Sequence, residues 1–148
     1  MTKELSIEKI KKELIDKLLN NMDILKYLNA ERLLNEGYKI SNLHNNLIYD
    51  YDIPDIEGNY IAVEVAEYTN TLNTNASNQK YTVSIKMGLV DRECLDSLAA
   101  VVKNIITELY PHKKRFSNVP FYTKRYGYNN KIHHELNRVI TFEIEEII

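Results

Sequence analysis

Residues 81–98 read Tyr81-Thr-Val-Ser-Ile-Lys-Met-Gly88 followed by Leu89-Val-Asp-Arg-Glu-Cys-Leu-Asp-Ser-Leu98, and the change of period between the two halves decides the fold. Tyr81, Val83, Ile85 and Met87 alternate with Thr82, Ser84 and Lys86, the period-2 pattern of a strand covered on one side. From Asp91 onward the apolar residues recur at helical spacing. Leu95, Leu98, Val102, Ile105, Ile106 and Leu109 form one broad stripe that needs a sheet to lie on. Gly88 marks the turn between them, so a strand feeds a long helix that folds back over it.

Working outward, Tyr60-Ile-Ala-Val-Glu-Val-Ala66 alternates in the same way, and it pairs most simply with Tyr81–Met87 as an antiparallel hairpin. The connection, Tyr68–Lys80, holds Asn70, Asn73, Asn75 and Asn78 with only Leu72 apolar, which predicts a loop without a core face. Arg138-Val-Ile-Thr-Phe-Glu-Ile144 predicts a closing strand with Ile140, Phe142 and Ile144 inward. Between the long helix, stopped by Pro111, and that strand, the run through Lys131 is rich in Lys, Arg, Tyr and Asn and predicts irregular chain. Upstream, Leu47–Tyr51 suggests a strand ended by Pro54. Ser6 can cap a first helix bearing Ile7, Ile10, Leu14 and Leu18. Asp23 can cap a second, which Asn29 can divide and Gly37 can end. The fold class is α+β: a mostly antiparallel sheet of about four strands, packed by a long central helix, with N-terminal helices. One domain spans 1–148, with a helical segment over 1–37 and a sheet-and-helix core over 47–148.

At 148 residues, 44% hydrophobic and 27% charged, the chain holds one real core and little room for a second. A formal net charge of -2 argues against a globally basic nucleic-acid binder and leaves only a regional one. The single cysteine, Cys94, cannot form an internal disulfide and reads as a small buried hydrophobe, not a reactive thiol, at the margin of the helix stripe. No apolar run approaches a membrane span, and the N-terminus alternates Lys and Glu rather than showing a signal peptide.

Asp50, Asp52, Asp55 and Glu57 crowd into eight residues, a composition that can attract hard cations, but the spacing fits no calcium loop and an exposed acidic turn explains it. Pro54-Asp55 with Glu64-Val65 invites comparison with the metal-dependent nucleases built on Pro-Asp and acid-X-Lys. Ala66 stands where their lysine belongs, leaving Lys80 or Lys86 as a displaced substitute. His133-His134-Glu135 cannot easily grip one ion, because adjacent side chains diverge. No catalytic, cofactor or metal residue is assigned. Lys113, Lys114, Arg115, Lys124, Arg125 and Lys131 fall without an intervening acid, interleaved with Tyr122, Tyr126 and Tyr128. Those residue types serve phosphate contact and base stacking, and equally a subunit interface with Asp50, Asp52, Asp55 and Glu57 as the complementary patch. The near-neutral total charge favours the interface.

With those parts in order, the chain resembles the small tail-terminator, or tail-completion, proteins at the head–tail junction of long-tailed bacteriophages. The resemblance rests on the Ile53-Pro54 turn, the strand Tyr60–Ala66, the long polar loop, the strand Tyr81–Met87, the Asp91-Arg92 opening of the helix and the late Arg138–Phe142 strand, covering roughly residues 47–146. It implies a structural, non-enzymatic subunit without cofactor that forms a hexameric ring with itself on the tail tube. Its neighbours would be the tail tube protein and a head-side connector or stopper, with DNA in the lumen and no membrane. It would stand in the virion neck, assembled in the host cytoplasm. Two alternatives are a nucleic-acid-binding module and a divalent-metal-dependent nuclease with a degenerate motif.

Overall fold

The computed structural model describes residues 5–52, 58–69, 78–126 and 132–147. Helices α1 (Ile7–Leu19), α2 (Met22–Tyr27) and α3 (Glu31–Asn35) and a 3-10 turn (Ile40–Leu43) precede the sheet, and α4 (Leu95–Leu109) follows its third strand. The strands are β1 (Ile48–Tyr49), β2 (Tyr60–Thr69), β3 (Asn78–Gly88), β4 (Lys114–Tyr126) and β5 (Ile132–Ile147), in the order β1-β2-β3-β5-β4. Short β1 runs parallel to β2, and every other pairing is antiparallel.

Local chemistry sets the helices. Ser6 caps α1, its side chain accepting from the Lys9 N–H at 3.1 Å. The cap of α2 is Asn21, which accepts from the Ile24 N–H at 3.1 Å, and not Asp23. Asn21 has the extended backbone a cap requires, whereas Asp23 falls inside the first turn, where its charge favours the helix dipole. The chain breaks after α2 at Asn29, which takes φ 56°, and the helical segment ends at Gly37 with φ 101°. Asn59 ties this segment to the sheet: its Nδ2 donates to the Leu28 carbonyl (2.9 Å) while its Oδ1 accepts from the Val90 N–H (2.8 Å).

The register aligns apolar rows across the sheet. Val63, Ile85 and Ile140 face one another, as do Val65, Val83 and Phe142, and all are buried on the face that α1 and α4 cover. Against them lie Leu95, Leu98, Val102 and Ile106 of α4 and Ile10, Leu14 and Leu18 of α1, also buried. Leu109 is half-buried, at the end of the stripe. Beyond it, Tyr110 packs its ring on Phe142 with centroids 5.8 Å apart and donates to Glu13 Oε2 at 3.2 Å. Burial, reinforced by Glu13, pushes the Tyr110 phenol above its ordinary pKa, so the donor stays protonated.

Four expectations change. The stretch after Pro111 is not irregular: it forms β4, thirteen residues long, and the sheet has five strands. The closing strand begins at Ile132 rather than Arg138 and runs sixteen residues. The polar connection is narrower than Tyr68–Lys80, because β2 continues to Thr69 and β3 starts at Asn78, with 70–77 outside the described residues. Cys94 is only partly covered; it packs at the edge of the core and its thiol donates to Asp91 Oδ2 at 3.4 Å. The strand expected over Leu47–Tyr51 is present as β1, while Pro54 lies outside the described residues.

Leu98 is fully buried where α4 meets the sheet. Leu98→Ala should cost about 2–5 kcal/mol in a denaturant titration, the range for a leucine truncated in a packed core. A loss below about 0.5 kcal/mol is surface behaviour and would contradict this packing.

Candidate interface

Strand β5 belongs to two structures at once. Its second part, Arg138–Ile147, pairs with β3, and its first part pairs only with β4 because β3 has ended at Gly88. Tyr122–Tyr126 and Ile132–Leu136 therefore form a two-stranded arm beyond the sheet. Five residue pairs at strand rise reach about 17 Å. At the other end of β4 a bulge falls between Lys114 and Ser117, with Arg115 at φ 54°. Pro120, lacking an N–H, is tolerated because β4 is an edge strand.

The structure divides the basic segment. Lys114 Nζ lies 3.0 Å from Glu145 Oε2 and Arg115 Nη1 lies 3.6 Å from Glu143 Oε1, both on the neighbouring strand. Lys113 donates to Thr107 Oγ1 at 3.3 Å, and its ammonium and that of Lys103 each stand 5.6 Å from the Phe116 ring centroid. These three cations are accounted for within the chain. On the arm, Lys124 is exposed without a carboxylate partner among the described residues, and Tyr122 is 66% exposed. Arg125 and Tyr126 continue the arm's backbone opposite His133 and Ile132, while Tyr128 and Lys131 lie outside the described residues.

The acidic turn is divided too. Asp50 Oδ2 stands 3.1 Å from His44 Nε2. Asp52 grips Lys86 Nζ with both oxygens, at 2.9 and 3.0 Å, across the sheet face that the helices leave open. Lys86 also sits 6.0 Å from the Phe121 ring centroid. Asp55 and Glu57 are outside the described residues. Among the described residues no group of three or more His, Cys, Asp or Glu side chains could hold a metal ion. Glu64 and Lys86 share the open face, but Asp52 already engages that lysine. His133 and His134 are consecutive residues of β5. No helix among the described residues is long and apolar enough to cross a membrane.

Sequence reading missed the sheet's edges, which carry no local signal. The Ile61 N–H donates to the Leu47 carbonyl at 3.0 Å, so Ile61 directs its polar groups outward, toward β1. With a period of two, Val65 and Glu67 direct theirs the same way, past the end of β1. Beyond Ala62 that edge of β2 has no strand partner among the described residues, and neither has the outer edge of β4. Among the described residues the sheet thus presents two open edges on opposite sides.

Lys114 holds the Glu145 carboxyl below its ordinary pKa, chiefly by hydrogen bonding and then by charge. A depressed carboxyl contributes stability above its unfolded pKa and loses it as pH falls through the folded value. Lys114→Met should therefore raise the Glu145 pKa in a carboxyl-resolved NMR titration; an unchanged midpoint would show that the pair does not persist in solution.

No protein-family model matches this chain and no curated protein matches it in sequence, so function is carried by this geometry and by the resemblance drawn from the sequence.

Proposed function

We propose that the chain is a structural subunit that joins copies of itself head to tail in a closed ring, serving, as its resemblance to tail terminators suggests, to cap a tail tube and join it to the head. The observation that carries this reading is the match between the two open edges. Strand direction alternates from β2 through β3 and β5 to β4, so β4 runs opposite to β2. A second copy placed in the same orientation beside β4 offers its β2 edge in the antiparallel sense, and the alternation continues across the junction. Such a contact is heterologous, one patch meeting a different one, and it closes into a ring when the rotation between copies divides a full turn. The resemblance suggests six copies.

The register sets what such a junction brings together. Tyr60 pairs with Gly88 in β2–β3, and Phe121 pairs with Asn137, one step beyond Met87↔Arg138 in β3–β5, so these residues lie in one row. Extending the row to the next copy sets the arm level with the chain preceding that copy's Tyr60, whereas β1, paired with Ile61 and Ala62, and the acids Asp50 and Asp52 that follow it stand on the other side of that row. Lys124, exposed on the arm, then lies at the rim of the junction. Rim charges of this kind steer association and register more than they add affinity. Internal pairing of Lys114 and Arg115 leaves less of a continuous basic strip for nucleic acid.

Native mass spectrometry and electron microscopy of the full chain, alone and with tail tubes, test this. The wild-type chain should form closed rings. Lys124→Glu with Arg125→Glu should lower ring yield by about tenfold or more while leaving the monomer's melting temperature within a few degrees, since exposed charges rarely hold a fold together. A wild-type chain that stays monomeric under both conditions overturns the reading, as do doubly reversed variants that assemble normally. Salt-sensitive binding to DNA by the monomer, without rings, would favour the nucleic-acid alternative instead.

A further inference from the structure

Asn137 is the buried polar side chain among the described residues, 4% exposed, and it stands at the root of the arm. Its Oδ1 accepts from the Tyr60 hydroxyl at 3.0 Å, and its Nδ2 donates to Thr123 Oγ1 at 2.8 Å and to the Glu135 carbonyl at 3.2 Å. One amide thus joins β2, β5 and β4 across the point where the sheet narrows to two strands. Gly88 makes this possible. A Cβ there would lie 2.5 Å from Tyr60 Cε1 and 2.6 Å from Asn137 Oδ1, closer than real Cβ contacts allow, so only glycine lets the ring and the amide meet over the end of β3.

We propose that Tyr60, Gly88, Asn137 and Thr123 form a clamp that fixes the angle of the hairpin arm to the sheet in the isolated protein. A two-stranded ribbon is marginal in water by itself, and the arm has no third strand beside it among the described residues. A satisfied polar network centred on the buried Asn137 amide adds to the packing of Leu136 against the core, because a bond to a buried group is strengthened by the low dielectric and breaking it strands that group. The arm therefore meets a partner already ordered, which removes the cost of ordering it on binding. The clamp is a property of the single chain and stands whether or not the chain forms rings.

Amide hydrogen exchange on the full chain under non-assembling conditions tests it. In the wild type, the amides of Tyr122–Tyr126 and Ile132–Leu136 that bond across the arm should be protected. Tyr60→Phe keeps the ring over Gly88 but removes the hydroxyl; it should lower arm protection roughly two- to tenfold, the effect of one lost hydrogen bond, with β2, β3 and α4 unchanged. Gly88→Ala should lower it further. Thr123→Val, half-exposed on the arm, tests the same network from its other side and should act like Tyr60→Phe even where Gly88→Ala fails to fold. Arm amides that are unprotected in the wild type overturn the clamp. So does unchanged arm protection in both Tyr60→Phe and Thr123→Val, or a uniform loss across the whole chain, which would make these residues ordinary supports of the core.

Discussion

The α4 stripe seated on β3 and β5 is the contact from which the rest of the structure follows. Leu95, Leu98, Val102 and Ile106 give the helix one face to bury, and Val83, Ile85, Ile140 and Phe142 give the sheet the matching face. Hydrophobic burial has no direction of its own, but here it fixes one: with α4 and α1 on a single side, the opposite face remains half-polar. Because consecutive residues of a strand alternate faces, that choice also sets Glu64, Ser84, Lys86 and Thr141 on the open side. The pairing of Asp52 with Lys86 and of Arg115 with Glu143 is a consequence of which face the core took.

Strand β5 connects this core to the arm. Its apolar second half is held by β3 and α4, while its first half leaves the sheet with β4 as its partner. A rigid core that extends into a projecting ribbon is well suited to contact with another molecule, since the core supplies stability and the ribbon supplies reach. Asn137 lies at the boundary. There the hydrophobic pattern gives way to a polar one, and a buried amide is retained because all three strands it touches satisfy it.

The charges follow the same division. Near the core, cations on β4 are matched by Glu143 and Glu145, solvent-screened pairs that add little to stability and chiefly prevent repulsion. On the arm, Lys124 has no such match among the described residues. Charge left unmatched on a projecting, exposed element influences encounters more than folding.

Features that depend on period and on short-range chemistry can be read along the chain. The alternation of Tyr81–Met87, the stripe of α4, the cap at Ser6, the break at Asn29 and the stop at Gly37 are legible because each acts within a few residues. The identities of the basic and acidic groups in the candidate interface were legible for the same reason. Tertiary structure alone decided that Lys114–Tyr126 is a strand: an edge strand partly outside the core has little apolar alternation, and its conformation is imposed by the ladder with β5. It also decided which cations are neutralised, since Glu143 and Glu145 lie about thirty residues from Lys114 and Arg115 along the chain and adjacent only across the sheet. The open edges of β2 and β4 and the meeting of Tyr60, Gly88 and Asn137 belong to this second class. They are relations between strands distant in sequence, and no local pattern encodes them.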